Sequence, residues 1–364
     1  MEVMTTLRNL YVQPQDDTEL QALRSDQWGL YRPAAPLSRT IQGQPFDFRP
    51  GLTLTPFANP VACNAHCRFC SEELQRRDGH QLTAKRLIRD YDAYFAGLAA
   101  ALHALAGLPM GLSLSGLEAT AEPTWLHRLL DTLAATARIA PFDEKVLYTN
   151  GSGLHRHAWM ADALAEARFD RIELSRCHYD EAVNQRVMYF NRNEPVWLNG
   201  PYEALVRRMV ADGRVQVKNS CILTRPGVHD LREMERYLDW AMDLGVQAVV
   251  FRELSRLDDA YLPNATARWV EANRVPIAPI LQAISPSRSG TRPGWTYAGS
   301  TVGYYYYNEH FRYHGAVEVI VETSSYPALM SANATGVVQK LVYHSNGNLC
   351  GDWDPDTFVI GRFA

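Results

Sequence analysis

The sequence predicts an α/β protein built on parallel strands, and three observations carry that expectation. Six short apolar runs, Leu52–Pro56, Gly111–Ser115, Lys145–Thr149, Arg171–Ser175, Val215–Leu223 and Val246–Phe251, have strand length and mostly end at Gly, Asn, Ser or Pro. Segments of helical periodicity lie between them: Thr83–Leu105, Pro123–Arg138, His157–Ala167, Pro201–Asp212 and Leu231–Leu244. Strands separated by helix-length connections pair in parallel with right-handed crossovers. Beyond Ser255 this alternation gives way to a stretch punctuated by Pro276, Pro279, Pro286, Pro293 and Gly294.

Three regions follow. Residues 1–50 hold Gln, Asp and Pro with little periodicity and read as an N-terminal extension packed on the core of residues 51–255. Residues 256–364 read as a β-rich C-terminal cap. Within it are the aromatic run Tyr304–Tyr307, a weakly alternating Val317–Glu322, and strand-like arms around Asn346-Gly347, a hairpin turn signal.

Composition narrows the function. Of 364 residues, 46% are hydrophobic and 21% charged, which excludes disordered, collagen-like and coiled-coil classes. Lys and Arg total 36 against 40 Asp and Glu, and no basic run exceeds two residues, so a dedicated nucleic-acid binder is not expected. Met1-Glu2-Val3-Met4 carries acid where a signal peptide needs positive charge, and the expected location is cytoplasmic. The uncharged stretch from Ala93 to Leu117 is split by Pro109, which suits a buried helix followed by a central strand and not a membrane span. Six cysteines are too few for a disulfide scaffold, and three crowd into one stretch.

That stretch is Cys63-Asn64-Ala65-His66-Cys67-Arg68-Phe69-Cys70, directly after the first strand. Three thiolates on one tight loop can hold three irons of a 4Fe-4S cluster and leave the fourth open to a substrate or cofactor. The loop sits at the carboxyl end of the parallel strands, where α/β proteins gather their ligands. The competing readings are three core cysteines or a zinc site. Zinc wants a fourth ligand, which only His66 offers, immediately beside Cys67.

The motif, with Phe69 before its last cysteine, resembles the radical SAM superfamily, and the likeness extends over roughly Leu52–Ser255. The resemblance implies a partial (βα)6 TIM-like barrel, a 4Fe-4S cluster on Cys63, Cys67 and Cys70, and S-adenosylmethionine (SAM) chelating the open iron. It further implies a 5′-deoxyadenosyl radical made with an electron from a donor such as flavodoxin or ferredoxin. Ser115-Gly116-Leu117-Glu118 is similar to the superfamily's Gly-Gly-Glu element, with Leu117 in place of the second glycine, so Gly116 and Glu118 are expected at the SAM amine. Glu122-Pro123 is a second candidate for that element, or else Glu122 is a first-turn helix acid. Tyr148-Thr149-Asn150-Gly151 resembles a third-strand Thr-Asn-Gly, which brings Asn150 to the cofactor. Ser175-Arg176 ends the fourth strand, where the guanidinium is expected either to clamp the SAM carboxylate or to be a surface group. Asn219 and Arg252 are expected near ribose and adenine. Phe251-Arg252-Glu253-Leu254 resembles, with its order shifted, a sixth-strand element of the radical SAM GTP cyclases.

Cys177, Cys221 and Cys350 are too scattered in sequence to suggest a second cluster. Cys177 and Cys221 are candidate hydrogen-atom donors, against the plainer reading of buried small hydrophobes. Cys221 is preferred because it lies two residues after Asn219 and shares its face of the strand. Tyr304–Tyr307, His310 and His314 are either a pocket lining or one half-buried strand. The expected function is hydrogen abstraction from a small polar metabolite, a sugar, nucleoside or carbon skeleton. Modification of a peptide or amino-acid side chain is the alternative enzyme, and a non-catalytic iron-sulfur or zinc protein is the alternative class. No nucleic-acid or membrane partner is expected.

Overall fold

The computed structural model of the chain describes residues 10–27, 31–77 and 87–363. The acidic N-terminus and the start of the helix expected from Thr83 lie outside the described residues.

In chain order the strands are β1 (Leu10–Val12), β2 (Leu37–Ile41), β3 (Gln44–Phe48), β4 (Leu52–Pro56), β5 (Met110–Leu114), β6 (Phe142–Thr149), β7 (Arg171–Ser175) and β8 (Gln216–Leu223). They continue as β9 (Ala248–Glu253), β10 (Trp295–Val302), β11 (Tyr306–Tyr313), β12 (Val317–Ser324), β13 (Val337–Val338), β14 (Leu341–Tyr343), β15 (Asn348–Cys350) and β16 (Val359–Arg362). The six expected strands are β4 to β9, adjacent in sequence order and all parallel. Helices cross between them, among them Tyr91–Ala104, Pro123–Thr136, Trp159–Glu166, Asn199–Asp212 and Leu231–Asp243. The result is a mixed α/β fold on a large, mostly parallel sheet.

That sheet is wider than the six strands. β12 joins β9 and β14 joins β4, both in parallel, and antiparallel strands extend each flank to thirteen in all. The C-terminal region supplies β10 to β12 on one flank of the central sheet and β14 to β16 on the other. The N-terminal region contributes too: β1 pairs with β10, and Arg24 from the helix Asp17–Ser25 makes a two-pronged contact at 2.7 Å with the fully buried Glu309. A three-residue edge strand leaves no periodic trace in the sequence.

Alternation along the strands gives the sheet two unlike faces. Leu147, Ile172, Leu174, Val217, Cys221, Val249 and Phe251 pack with helix residues such as Leu126, Leu205 and Tyr237 in the main core. The intervening Glu173, Lys218 and Ser220 are buried polar groups on the opposite face, with Tyr148 and Arg252 beside them. Arg49, which precedes β4, lies 4.9 Å over the ring of Tyr304, which precedes β11. β4 and β11 are far apart in strand order, so the sheet curls around its polar face.

Candidate active site

The cysteine loop leaves β4 and is pinned on two sides. Ala58 N donates to Ser115 O at 2.9 Å and Leu117 N donates to Ala58 O at 2.8 Å, which ties the loop's root to the end of β5. Gly116 makes this approach possible. Its φ is +136°, and a Cβ there would lie 2.5 Å from Ala58 N, so conformation and space both demand glycine. Further along, His66 N donates to Tyr189 O and Arg68 N to Val187 O, each at 3.0 Å.

Between Cys63 and Cys67 the buried Asn64 anchors the loop from within. Its Nδ2 donates to Ser152 Oγ at 2.7 Å, and its Oδ1 accepts from Asn150 Nδ2 at 2.8 Å. Asn150 in turn donates its backbone N–H to Glu118 Oε2 at 2.7 Å. The other oxygen of Glu118 accepts from Thr120 N at 3.0 Å, Thr120 Oγ1 at 2.7 Å and Thr149 Oγ1 at 2.5 Å. A buried carboxylate with four donors is a charge-assisted clasp. It joins the segments after β5 and β6, and Asn64 carries the join into the cysteine loop.

The thiols lie in an apolar setting. Cys63, Cys67 and Phe69 pack against Ala65, Cys177, Val187, Met188, Phe190 and Val196. Burial, with Glu118 next, pushes the Cys63 thiol up to about 12, and burial with the neighbouring Cys177 raises Cys67 well above its usual range. Thiols so placed become thiolates only against a bound metal charge. Each thiolate of a 4Fe-4S cluster takes a different iron, and three cysteines on one loop in an apolar setting are a donor set that fits such a cluster.

The remaining expected residues divide by face. Ser175 and Arg252 are on the polar face, Ser175 in register with Ser220. Arg252 is paired with Glu173 at 2.9 Å and Glu322 at 2.8 Å. Burial would raise the Glu173 carboxyl, but Arg252, Lys218 and Arg171 outweigh it and hold the group at about 2. Arg176 is neither a surface group nor a free clamp. It is 1% exposed, stacked 4.7 Å over Tyr202, and donates to the carbonyls of His178, Val196 and Trp197 and to Asn199 Oδ1. Asn219 and Cys221 do share a face, but it is the helix-facing one. Asn219 accepts from Tyr202 OH at 3.2 Å, and Cys221 lies in the main core with its Sγ at 3.3 Å from Cys177 O. The period of two fixed their common side without fixing which side.

Glu122 is the N-cap of the helix Pro123–Thr136, accepting from Thr124 N and Trp125 N. Cys177 packs beside the cysteine loop, whereas Cys350 sits on β15 with its Sγ 3.4 Å from Pro355 O. Tyr307 is buried with Leu23 and Val302, and His310 Nε2 is 2.6 Å from Thr301 Oγ1, as members of the β10–β11 ladder. Sequence reasoning missed Asn64, Thr120 and Ser152. The one available signal was their polarity beside the motif's cysteines and strand ends.

No protein-family model matches the chain. Over 168 residues it is 34% identical to GTP 3′,8-cyclase 2 of Mycobacterium tuberculosis and of Mycobacterium bovis, a stretch covering 45% of this chain and 41% of each relative. The chain spans less than half the length of these curated relatives. Among solved structures, similar folds include Streptococcus suis SuiB bound to S-adenosylmethionine (14% identity, 59% of this chain and 43% of that one, TM-score 0.42). Another is the radical SAM coproporphyrinogen III oxidase of Escherichia coli (13% identity, 72% and 67%, TM-score 0.39). No helix among the described residues is long and apolar enough to cross a membrane.

Proposed function

We propose that the chain is a radical SAM enzyme acting by hydrogen abstraction on a small polar metabolite, of the sugar or nucleoside kind, in a biosynthetic reaction. The observation that carries this reading is the cysteine loop, tied through Asn64, Asn150 and Glu118 to the carboxyl ends of parallel strands. When bound, the cluster and SAM supply a 5′-deoxyadenosyl radical from one electron, for which a flavodoxin- or ferredoxin-type donor is proposed. The chain's own tasks are then positional. Cys63, Cys67 and Cys70 hold the iron, Asn64 and Asn150 fix the loop, and Val187, Met188, Phe190 and Val196 keep water from one side of it. Gly116, Phe69 and Ser175 are proposed to contact the cofactor.

The parallel run β4–β9 with an enclosed polar face supports a partial barrel whose lumen receives the substrate. Glu173, Lys218 and Arg252 would give that lumen charged walls, which suit a polar metabolite better than an apolar one. The cyclase relative, named for action on GTP, supports the nucleoside side of the proposal. The test is an anaerobic screen of polar metabolites scored by 5′-deoxyadenosine. Release stimulated by one sugar- or nucleoside-type compound bears the reading out, and stimulation only by peptides would replace it with side-chain modification.

A further inference from the structure

Lysine is scarce in this chain: Lys85, Lys145, Lys218 and Lys340 are the only four, against 32 arginines. Lys218 is paired with Glu173 at 3.4 Å. Lys340 is different. It directly precedes β14, whose Leu341 pairs with Leu54 on the core face, so alternation turns Lys340 toward the polar face with Val342 and Thr55. Only 5% exposed, it rests its ammonium 3.7 Å from the centre of the Trp353 ring. Trp353 in turn meets Phe57, at the root of the cysteine loop, with ring centres 6.2 Å apart.

Among the described residues the Lys340 ammonium has no hydrogen-bond or ion-pair partner. The nearest acid to influence it, Asp352, is engaged by Asn333 Nδ2 at 2.7 Å and by Asp354 N at 3.3 Å. The His344 ring centre lies 6.0 Å from that of Phe57, and the second buried cation in this region, Arg49, donates to the carbonyl of the adjoining Gln339. A buried ammonium on an aromatic face is stabilised by the ring's quadrupole but still lacks the oxygen that would complete its charge. The nitrogen lies against the Trp353 ring, which joins it through Phe57 to the root of the cysteine loop.

Resting on the enzyme reading above, we infer that Lys340, supported by Trp353, is a substrate-binding residue that takes an oxyanion, a carboxylate or phosphate, of the metabolite. Burial lowers the empty amine to about 7, so an arriving anion also draws a proton onto it. Selective ¹³Cε-lysine labelling makes this measurable, because four lysines give four resolvable titrations. Lys340→Met identifies the signal, and Lys340→Arg does so should the first variant fail to fold. In the anaerobically purified protein the Lys340 signal should titrate near 7. Inorganic phosphate or acetate, each compared with chloride at equal ionic strength, should raise that midpoint saturably by a pH unit or more, a tenfold preference for the charged amine. A response to phosphate alone identifies a phosphorylated substrate and one to acetate alone a carboxylate. The proposal is overturned if Lys340 titrates near 10 or if neither anion shifts it beyond chloride. The measurement reads the lysine and not the cysteine loop, so either result leaves the cluster assignment standing or falling on its own tests.

Discussion

Asn150 donates from Nδ2 to Asn64 Oδ1 at 2.8 Å, and through this bond the end of β6 holds the middle of the cysteine loop. Both residues are buried, so deleting either side chain leaves polar atoms without partners, at about 1–3 kcal/mol. Asn64→Ala and Asn150→Ala should each lower the midpoint of thermal unfolding and reduce iron per chain. Iron content equal to wild type in both variants would reduce the bond to an incidental contact.

Glu118 was expected at the SAM amine, yet four donors within the chain already converge on its carboxylate. Glu118→Gln places an amide against donors and should destabilise the fold by about 2 kcal/mol or more, with cluster loading falling alongside stability. A variant as stable as wild type that had lost only SAM affinity would restore the direct role.

Arg176 makes the same point on the helix side. Arg176→Ala orphans three carbonyl oxygens and the Asn199 side chain and should cost about 3 kcal/mol. SAM affinity per mole of folded protein should be unchanged, as equilibrium dialysis can determine.

The two buried cysteines now separate. Cys221 points into the helix-packed core, so Cys221→Ala should leave the ratio of product to deoxyadenosine at the wild-type value. Cys177 packs beside Cys67, which makes it the thiol to test as a donor. The ratio in Cys177→Ala decides: a fall supports the donor role, and an unchanged ratio in both variants removes it.

Stability should decline in mild acid because of His344. Burial, the leading cause, lowers its imidazole to about 4, while the unfolded chain keeps the ordinary value near 6.5. Between those values the unfolded state binds the extra proton, so stability is full above 6.5 and is lost as pH falls toward 4, by about 3 kcal/mol. Chemical denaturation at pH 7 and pH 5 should show this loss in wild type and a smaller one in His344→Gln. Equal losses would place the acid sensitivity elsewhere.

Much of the scaffold was legible because its signals are local. The six strand runs from Leu52 to Phe251, the helices between them, and the Asn346-Gly347 hairpin follow from periodicity and turn chemistry within a few residues. The three-residue strand β1 offered no period to read, and its place beside β10, like that of the hairpin arm β14 beside β4, is set by pairing across most of the chain. In the site, the cysteines were visible as a spacing. Asn64, Thr120 and Ser152 were not, because a polar residue becomes part of a clasp only when distant segments meet. Asn219 and Cys221 show the remaining gap: alternation pairs residues on a face, and only the register with β7 and β9 says which face carries the helices.

The central claim is that Cys63, Cys67 and Cys70 hold a cluster that cleaves SAM. Its most direct test is to incubate the anaerobically reconstituted protein with SAM and dithionite, measuring 5′-deoxyadenosine together with iron and sulfide. The account predicts about four irons and four sulfides per chain, with deoxyadenosine formed by wild type and not by Cys67→Ala. One stoichiometric zinc, no sulfide and no deoxyadenosine would contradict it.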